Sequence, residues 1–435
     1  MKSTLVFIVS LFLVMLSKVI NAQPKTDSLF FGQLLTSSNN PVFKTVMSNP
    51  GKYRCQIIYT QIDRTKKGGA SFRNLYFNVD PDLYFNPASM VKMPLAFLSL
   101  EKLHRLQDKG INKFTWLNID SSFPKQVAMR ADSSAPDKKP TMAHFIKRAL
   151  LISENDPYNR MYQFVGQGPI NRSLQNKGYH SARITRQFMG YTEDQNRHTN
   201  GFRFYNKDGT SVYIQPPAYN KDSIRYPSSP ILIGEGHINR NEEWVKGPFD
   251  FTRHNNISLE DLQKMLQAII FPGSVASKNR FKMSSEDRRF LLQYLSQYPS
   301  ETNYPFYNDT IYYDSYVKFF FNDSSHKMPK HVRVFNKVGW AYGFLTDVSY
   351  VVDTLQNIDY FLSATLYVNS DGVVNDSKYD EESVGFPFLR ELGNLIYTYE
   401  VTRSRKSNPR LDFLGVKYDT RESNSVQPSI KKVDN

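Results

Sequence analysis

The sequence predicts an α/β fold of the α+β type, in which an antiparallel sheet is assembled from both ends of the chain and a helical lobe is inserted between them. Three observations carry this. Early in the chain, "YRCQIIYTQIDR" alternates, with Tyr53, Cys55, Ile57 and Tyr59 on one face, and "LYFNVD" follows a Lys/Gly turn; the two read as a hairpin. The middle of the chain has helical periodicity. Near the end, "HVRVFNKVGW", "FLTDVSYVVD" and "DYFLSATLYVN" alternate around short turns, and "FPFLRELGNLIYTY" closes with a helix. A cleft where the two lobes meet is where a site would form.

Taken in order, the chain opens with "MKSTLVFIVSLFLVMLSKVINAQP", in which one basic residue precedes an apolar stretch from Leu5 to Met15 and a small residue, Ala22, precedes Gln23. Residues 1–22 are therefore expected to be a cleavable secretory signal. The apolar core is about a dozen residues, short of the ~20 that span a bilayer, so no stable membrane insertion is expected after cleavage. Residues 23–40 read as an N-terminal linker and 41–403 as one folded unit. From Ser89 to about Gln107, apolar residues at 91, 95, 98, 100, 103 and 106 give one helix; "TMAHFIKRALLI" gives another, begun by a capping-type Thr141. Further helices fall at "SLEDLQKMLQAII" and "SSEDRRFLLQYLSQ". Two stretches, about 199–249 and 304–330, read as insertions, too aromatic for linkers. Residues 404–435 read as a polar, disordered tail.

The formal charge is +14, which could suggest nucleic acid. The basic residues are dispersed, however, and the aromatics follow strand and helix periodicity, so no nucleic-acid partner is expected. In an exported protein this charge suits anionic wall or membrane surroundings, and the periplasm is the expected compartment. A single cysteine excludes an internal disulfide framework, and Cys55 sits on the apolar face of its segment as a small core residue. No HExxH or CxxC spacing is present, so neither a metal nor another cofactor is expected.

Three short motifs remain. "NPASMVKMPLAFLSLEKL" places Ser89 and Lys92 three apart at a helix start, where free N–H groups and the positive dipole end stabilise an oxyanion. A neutral lysine amine on the same face could take the serine proton if burial or nearby cations depress its pKa. The same spacing occurs at Ser99-Lys102, Ser122-Lys125 and Ser315-Lys318, and serine is an ordinary helix start, so the pair alone decides nothing. In "LLISENDPYNRMY", Ser153 and Asn155 can share one cleft only on a turn, which Asp156 as a cap and Pro157 as first helical residue would supply. In "FNKVGWAYGFLTDVSYVV", Lys337 and Gly339 fall in a strand where a glycine permits close backbone approach of a ligand.

The order SxxK, SxN, KxG resembles the penicillin-recognising serine enzymes, and most closely the class A β-lactamase-like group. "FNPASMVK" is similar to that family's strand-to-helix segment, "SENDPYN" to SDNxxxN including Asn159, and "KVGWAYGFLTDV" to KTG followed by YGxxxD, giving Tyr342, Gly343 and Asp347. The resemblance covers roughly residues 41 to 400 and implies a β-lactamase/transpeptidase-like fold. It implies that Ser89 is the acylated nucleophile, Lys92 its proton acceptor, and Ser153 a proton relay to the leaving amine. Lys337 would tune that relay and bind a substrate carboxylate, Asn155 would hold the acyl side-chain amide, and Gly339 and Trp340 would also be substrate-binding. The backbone N–H groups of Ser89 and Trp340 would form the oxyanion hole.

Three departures stand out. Glu154 replaces an aspartate and Val338 replaces the KTG hydroxyl. In "YHSARITRQFMGYTEDQN", Phe188 falls where the family's deacylating glutamate belongs, which leaves Glu193, displaced in register with Asn196 three beyond, as the candidate base. The expected activity is an exported hydrolase opening small β-lactam amides through a Ser89 acyl-enzyme, with antibiotic resistance as its consequence. The alternatives are a D-Ala-D-Ala peptidase, amidase or esterase acting on a peptidoglycan-like substrate, and a sensor domain acylated without turnover.

Overall fold

A computed structural model describes residues 25–64, 69–405, 409 and 411–422. The signal expected over residues 1–22 lies outside the described residues. The segment expected to be a linker is instead mostly helical: α1 (Lys25–Thr36) and α2 (Pro41–Ser48) precede the first strand. Asn40 caps α2, its Oδ1 accepting from the Phe43 N–H at 3.1 Å, with Pro41 at the first helical position where no N–H is needed. Phe31, Leu35, Phe43 and Val46 are buried against the sheet. Each contributes about 1.5–3 kcal/mol that a linker would forgo.

The hairpin follows as β1 (Gln56–Arg64) and β2 (Ala70–Phe77), longer on its second arm than "LYFNVD" suggests. Then come α3 (Lys92–Arg105), β3 (Trp116–Asp120), α4 (Met142–Leu151), α5 (Asn155–Val165), α6 (Gln167–Asn176) and the short α7 (Glu193–Arg197). Thr141 caps α4 by accepting from His144 N–H at 3.2 Å, as its position predicts. The first insertion forms β4 (Gly201–Tyr205) and β5 (Ser211–Gln215), which extend β3 into a three-stranded sheet. It continues as β6 (Leu232–Ile233), β7 (Gly236–Ile238), β8 (Trp244–Lys246) and β9 (Phe249–Asp250). Helices α8 (Leu259–Ile270) and α9 (Ser285–Ser296) start at Ser258 and Ser284, both side-chain caps.

The chain then returns through β10 (Val332–Ala341), β11 (Phe344–Asp353) and β12 (Ile358–Tyr367), a short β13 (Val373–Val374) and α10 (Phe386–Thr402). The main sheet runs β10-β11-β12-β1-β2, antiparallel throughout, so strands from both chain ends meet at β12 and β1. Its β11 and β12 are almost wholly buried, since the helical lobe covers one face and α1, α2 and α10 the other. Cys55 is fully buried as a core residue.

The predicted disordered tail also departs from expectation over residues 411–422. Asp419 accepts from Lys147 at 2.9 Å and from Gln293 and Gln297, Tyr418 lies 3.8 Å from the Arg333 guanidinium, and Arg421 donates to the carbonyls of Pro299 and Thr302. Polarity read as disorder is here a set of paired charges on a folded surface. Among the described residues no helix is long and apolar enough to cross a membrane.

Candidate active site

Ser89 reaches the cleft through a strained turn. Asn86 Oδ1 accepts from the Ala88 N–H at 2.8 Å, Ala88 takes a positive φ of 43°, and a 3₁₀ turn over Ala88–Val91 runs into α3. A β-carbon at positive φ is unfavourable unless surrounding contacts impose it, and such strain concentrates at working sites. Pro94 does not break α3, because it stands in the first turn, where its missing N–H has no intrahelical partner.

One turn on, Lys92 is fully buried, and its Nζ lies 2.7 Å from Ser89 Oγ. The same nitrogen meets Asn155 Oδ1 at 2.7 Å, Ser153 Oγ at 3.2 Å and the Ser153 carbonyl. A neutral amine has two N–H bonds and one lone pair. It can donate to the Ser153 carbonyl and to Asn155 Oδ1 while accepting the Ser89 proton, so its short contacts are all satisfied without a charge. Burial, and then the nearby Lys337 charge, push the Lys92 pKa well below its ordinary 10.5, against a smaller opposing pull from Glu154.

Ser153 takes a positive φ of 71° just before α5, whose N-cap is Glu154. The predicted turn is therefore present, but Asp156 lies inside the first helical turn and not at the cap. Glu154 explains the tightness: it is buried, its Oε2 accepts from Arg148 Nε at 2.8 Å, and its Oε1 accepts from the Tyr307 hydroxyl at 2.7 Å. Arg148 also reaches Asp132 at 3.1 Å. Tyr307 comes from the second insertion, so that segment braces the SxN turn from below. Sequence reading missed this brace, although an acidic residue inside the motif with an arginine six positions earlier was its signal.

From the opposite wall, Lys337 donates to Ser153 Oγ at 2.7 Å and to the Val338 carbonyl at 2.9 Å. Burial lowers its pKa to about 7, Asp347 pulling it up and Lys318 down. Lys337 belongs to β10, the edge strand of the main sheet, and the strand lies against the nucleophile turn. Gly339 makes that approach possible: a β-carbon there would stand 2.4 Å from the Pro87 carbonyl oxygen. The ligand-approach explanation of this glycine is thus replaced by a contact between the two walls of the site. Trp340 is 43 % exposed, and its ring packs edge-on against Phe386 at 5.1 Å.

The loop after α6 corrects one expectation. Glu193 is exposed at the start of α7, paired with Arg253 and, at 3.7 Å, with Arg197. Its carboxylate is committed to the outer surface, so it is not the base against Lys92. Phe188 occupies that side instead, its ring 5.2 Å from Lys92 Nζ and stacked 4.4 Å from Tyr158. Asn159 fixes the loop by accepting from Phe188 N–H at 2.8 Å, and Asn196 does the same for Gln187 N–H at 2.7 Å. Ser89, Lys92, Ser153, Asn155, Lys337 and Gly339 are therefore drawn to one cleft, and Glu193 is not.

The end of the first insertion and the residues just after it pack on the β10–β11 turn. Phe249 and His254 pack on Tyr342, in the β10–β11 turn, at 5.7 and 6.1 Å, and His254 Nε2 lies 2.8 Å from Arg186 Nη1. Burial first, and Arg186 second, bring the His254 pKa down to about 3, so this ring is neutral.

No curated protein matches the sequence. Among solved structures, the chain is similar to one described as PBP-A at 13 % identity, covering 86 % of this chain and 96 % of that one with a TM-score of 0.43. An ancestral class A β-lactamase, GNCA, gives 13 % identity, 86 % and 99 % coverage and a TM-score of 0.44. A β-lactamase from Francisella tularensis gives 13 % identity, the same two coverages and a TM-score of 0.45. Superpositions this loose carry no weight in assigning the chain. The assignment comes from sequence: the model of the beta-lactamase enzyme family matches residues 43–399, a span that holds every residue of the cleft just described. This chain belongs to the beta-lactamase enzyme family.

Proposed function

We propose that the protein is an exported serine hydrolase of the class A β-lactamase type that is acylated at Ser89 by β-lactam amides and releases the acyl group slowly. The observation that carries this reading is the placement of the buried Lys92 amine, 2.7 Å from Ser89 Oγ and held by the Ser153 carbonyl and Asn155 Oδ1, where a neutral form could accept the serine proton. In the proposed step, Lys92 takes the Ser89 proton as the oxygen attacks the carbonyl. Ser153, linked to Lys92 and Lys337, passes a proton to the departing nitrogen. The Ser89 and Trp340 N–H groups would receive the oxyanion, and Asn155 Nδ2 would meet the acyl amide, since its Oδ1 is taken by Lys92. Lys337 would hold the substrate carboxylate with one contact fewer than the family's KTG, because Val338 has no hydroxyl.

Hydrolysis of the ester needs a base that holds water on the far side of the carbonyl. Phe188 stands beside Lys92 where such a base belongs, and Glu193 is turned to solvent. This favours a second reading of the same cleft, an amidase or peptidase of the penicillin-binding type acting on a peptidoglycan-like substrate. The expected compartment is the periplasm, reached through the segment 1–22. A fluorescent penicillin followed by an unlabelled chase separates the readings. Slow loss over many minutes supports slow turnover, rapid loss indicates an efficient lactamase, persistence indicates the peptidase or a sensor, and no label refutes the site.

A further inference from the structure

Behind Lys337, on the other face of β10, lies a second buried lysine that the family motifs do not include. Successive residues of a strand point to opposite faces. Lys337 turns to the cleft, while its neighbour Asn336 turns away and meets Lys318, which the second insertion delivers. Lys318 Nζ donates to Asn336 Oδ1 at 2.6 Å and to the carbonyls of Leu295 and Val334, both at 2.9 Å. Three acceptors match the three hydrogens of an ammonium; a neutral amine would set its lone pair against one of them.

Asp347 completes the arrangement from β11, where it stands directly across from Val338 and so shares the face of Asn336. Its Oδ1 accepts from Asn336 Nδ2 at 2.9 Å and Ser349 Oγ at 2.7 Å, and its Oδ2 accepts from Phe319 N–H at 3.0 Å. Two N–H groups and a hydroxyl suit a carboxylate, while burial raises its pKa to about 6. Lys318, Asn336, Asp347 and Ser349 are all buried. Removing either ion alone therefore leaves an uncompensated charge in the protein interior, one strand away from Lys337.

We propose that Lys318 and Asp347, bridged by Asn336, are positioning residues that set the charge on Lys337 and so its grip on a substrate carboxylate. The two ions act on Lys337 with opposite sign. Asp347 favours its ammonium and Lys318 opposes it, so the insertion that carries Lys318 offsets the pull of that carboxylate. The other charges around Lys337 are few. Lys92 faces it across the cleft, with Glu154 and Arg148 paired beneath the Ser153 turn. Behind β10, Arg333 is paired with Glu301 near Lys318, and on the α10 side Glu381 meets Trp340.

The kinetic part of this proposal rests on the acyl-enzyme reading, so the test uses a readout that does not. The full chain is labelled with 13Cε-lysine, Lys337 is identified by the resonance missing in Lys337→Met, and its titration is followed. Lys318→Met should raise the Lys337 midpoint by about one pH unit, Asp347→Asn should lower it by about as much, and the double variant should lie near wild type. In parallel, second-order acylation by a carboxylate-bearing penicillin should persist to higher pH in Lys318→Met and fall away earlier in Asp347→Asn. A general loss of packing would lower the melting temperature of both variants without opposite titration shifts. Unmoved or same-direction midpoints in folded variants overturn the proposal. Should Lys318→Met not fold, the downward shift in Asp347→Asn decides alone. Opposite shifts with no acylation of any variant leave the network standing and remove the acyl-enzyme reading.

Discussion

Ser89-Lys92 and Ser99-Lys102 lie on the same stretch of chain with the same spacing, and the structure gives them opposite surroundings. Ser89 sits on a 3₁₀ turn at the mouth of α3, half-buried, with Lys92 on its hydroxyl. Ser99 is in the middle of α3, wholly buried, and its hydroxyl finds no partner among the described residues. Lys102 turns away to the Phe164 carbonyl, with its Nζ 4.4 Å from that ring. Both lysines lose basicity by burial, Lys102 to about 7. A depressed lysine pKa is therefore common to both, and what separates them is the acceptor set. Lys92 has serine hydroxyls beside it as well as a carbonyl and an amide oxygen, while Lys102 and Lys318 meet only carbonyl and amide oxygens. Ser122-Lys125 fails more simply, since Lys125 is exposed and Ser122 bonds Gln126.

The comparison can be broken most sharply at the lysines. Lys92→Met should lower the acylation rate about 10²–10⁴-fold, the usual contribution of a positioned general base, while Lys102→Met should leave it within about threefold. Stopped-flow acylation by a penicillin measures both. In the wild type, the acidic limb of the rate profile should fall far below pH 10.5, because burial and the nearby Lys337 push the Lys92 pKa well below that value.

The next largest effect concerns the two glycines Gly339 and Gly32. An alanine at 339 would meet the Pro87 carbonyl at 2.4 Å, and backbone cannot yield as a flexible side chain can. Gly339→Ala should cost about 1–3 kcal/mol and slow acylation by moving β10 from the nucleophile turn. Gly32 lies inside α1 with open space around it, so Gly32→Ala should stabilise by about 0.5–1 kcal/mol with acylation unchanged. Urea unfolding gives both signs.

Lys102 offers a smaller test through linkage. Its folded pKa, about 7, lies below the 10.5 of an ordinary lysine, so between these values the unfolded chain binds more protons. Stability should rise with pH through that window, and the rise should be shallower in Lys102→Met. An equal slope in both would show that Lys102 stays charged. The smallest expected effect is at Glu193: Glu193→Gln should change turnover by no more than about twofold, as for other exposed positions. Loss of turnover in a steady-state assay would return Glu193 to the mechanism.

How much of this was legible in the sequence depended on whether the determinant was local. Caps such as Thr141, the alternation of β10 to β12 and the periodicity of α3 are set within a few residues, and the structure follows them. The co-location of Ser89, Ser153 and Lys337 was legible because three motifs in order are jointly specific. Helix α1 was missed because "KTDSLFFGQLLT" has a helix-disfavouring glycine and borrows its stability from the sheet it covers. The ordered stretch 411–422 was missed because its partners, Lys147, Gln293 and Arg333, lie far away in sequence. Lys318 was seen only as a repeat of the SxxK spacing. That it is buried against Asn336 and behind Lys337 follows from the pairing of β10 with β11, which no local pattern encodes.

The most direct test of the central claim is intact-mass and peptide-level spectrometry after brief exposure to a penicillin. The account predicts one added acyl group on the peptide containing Ser89, accumulating in a burst faster than steady-state release. It predicts no adduct in Ser89→Ala and undiminished labelling in Ser99→Ala and Ser315→Ala. An adduct that survives in Ser89→Ala, or labelling mapped to another of the paired serines, would contradict it.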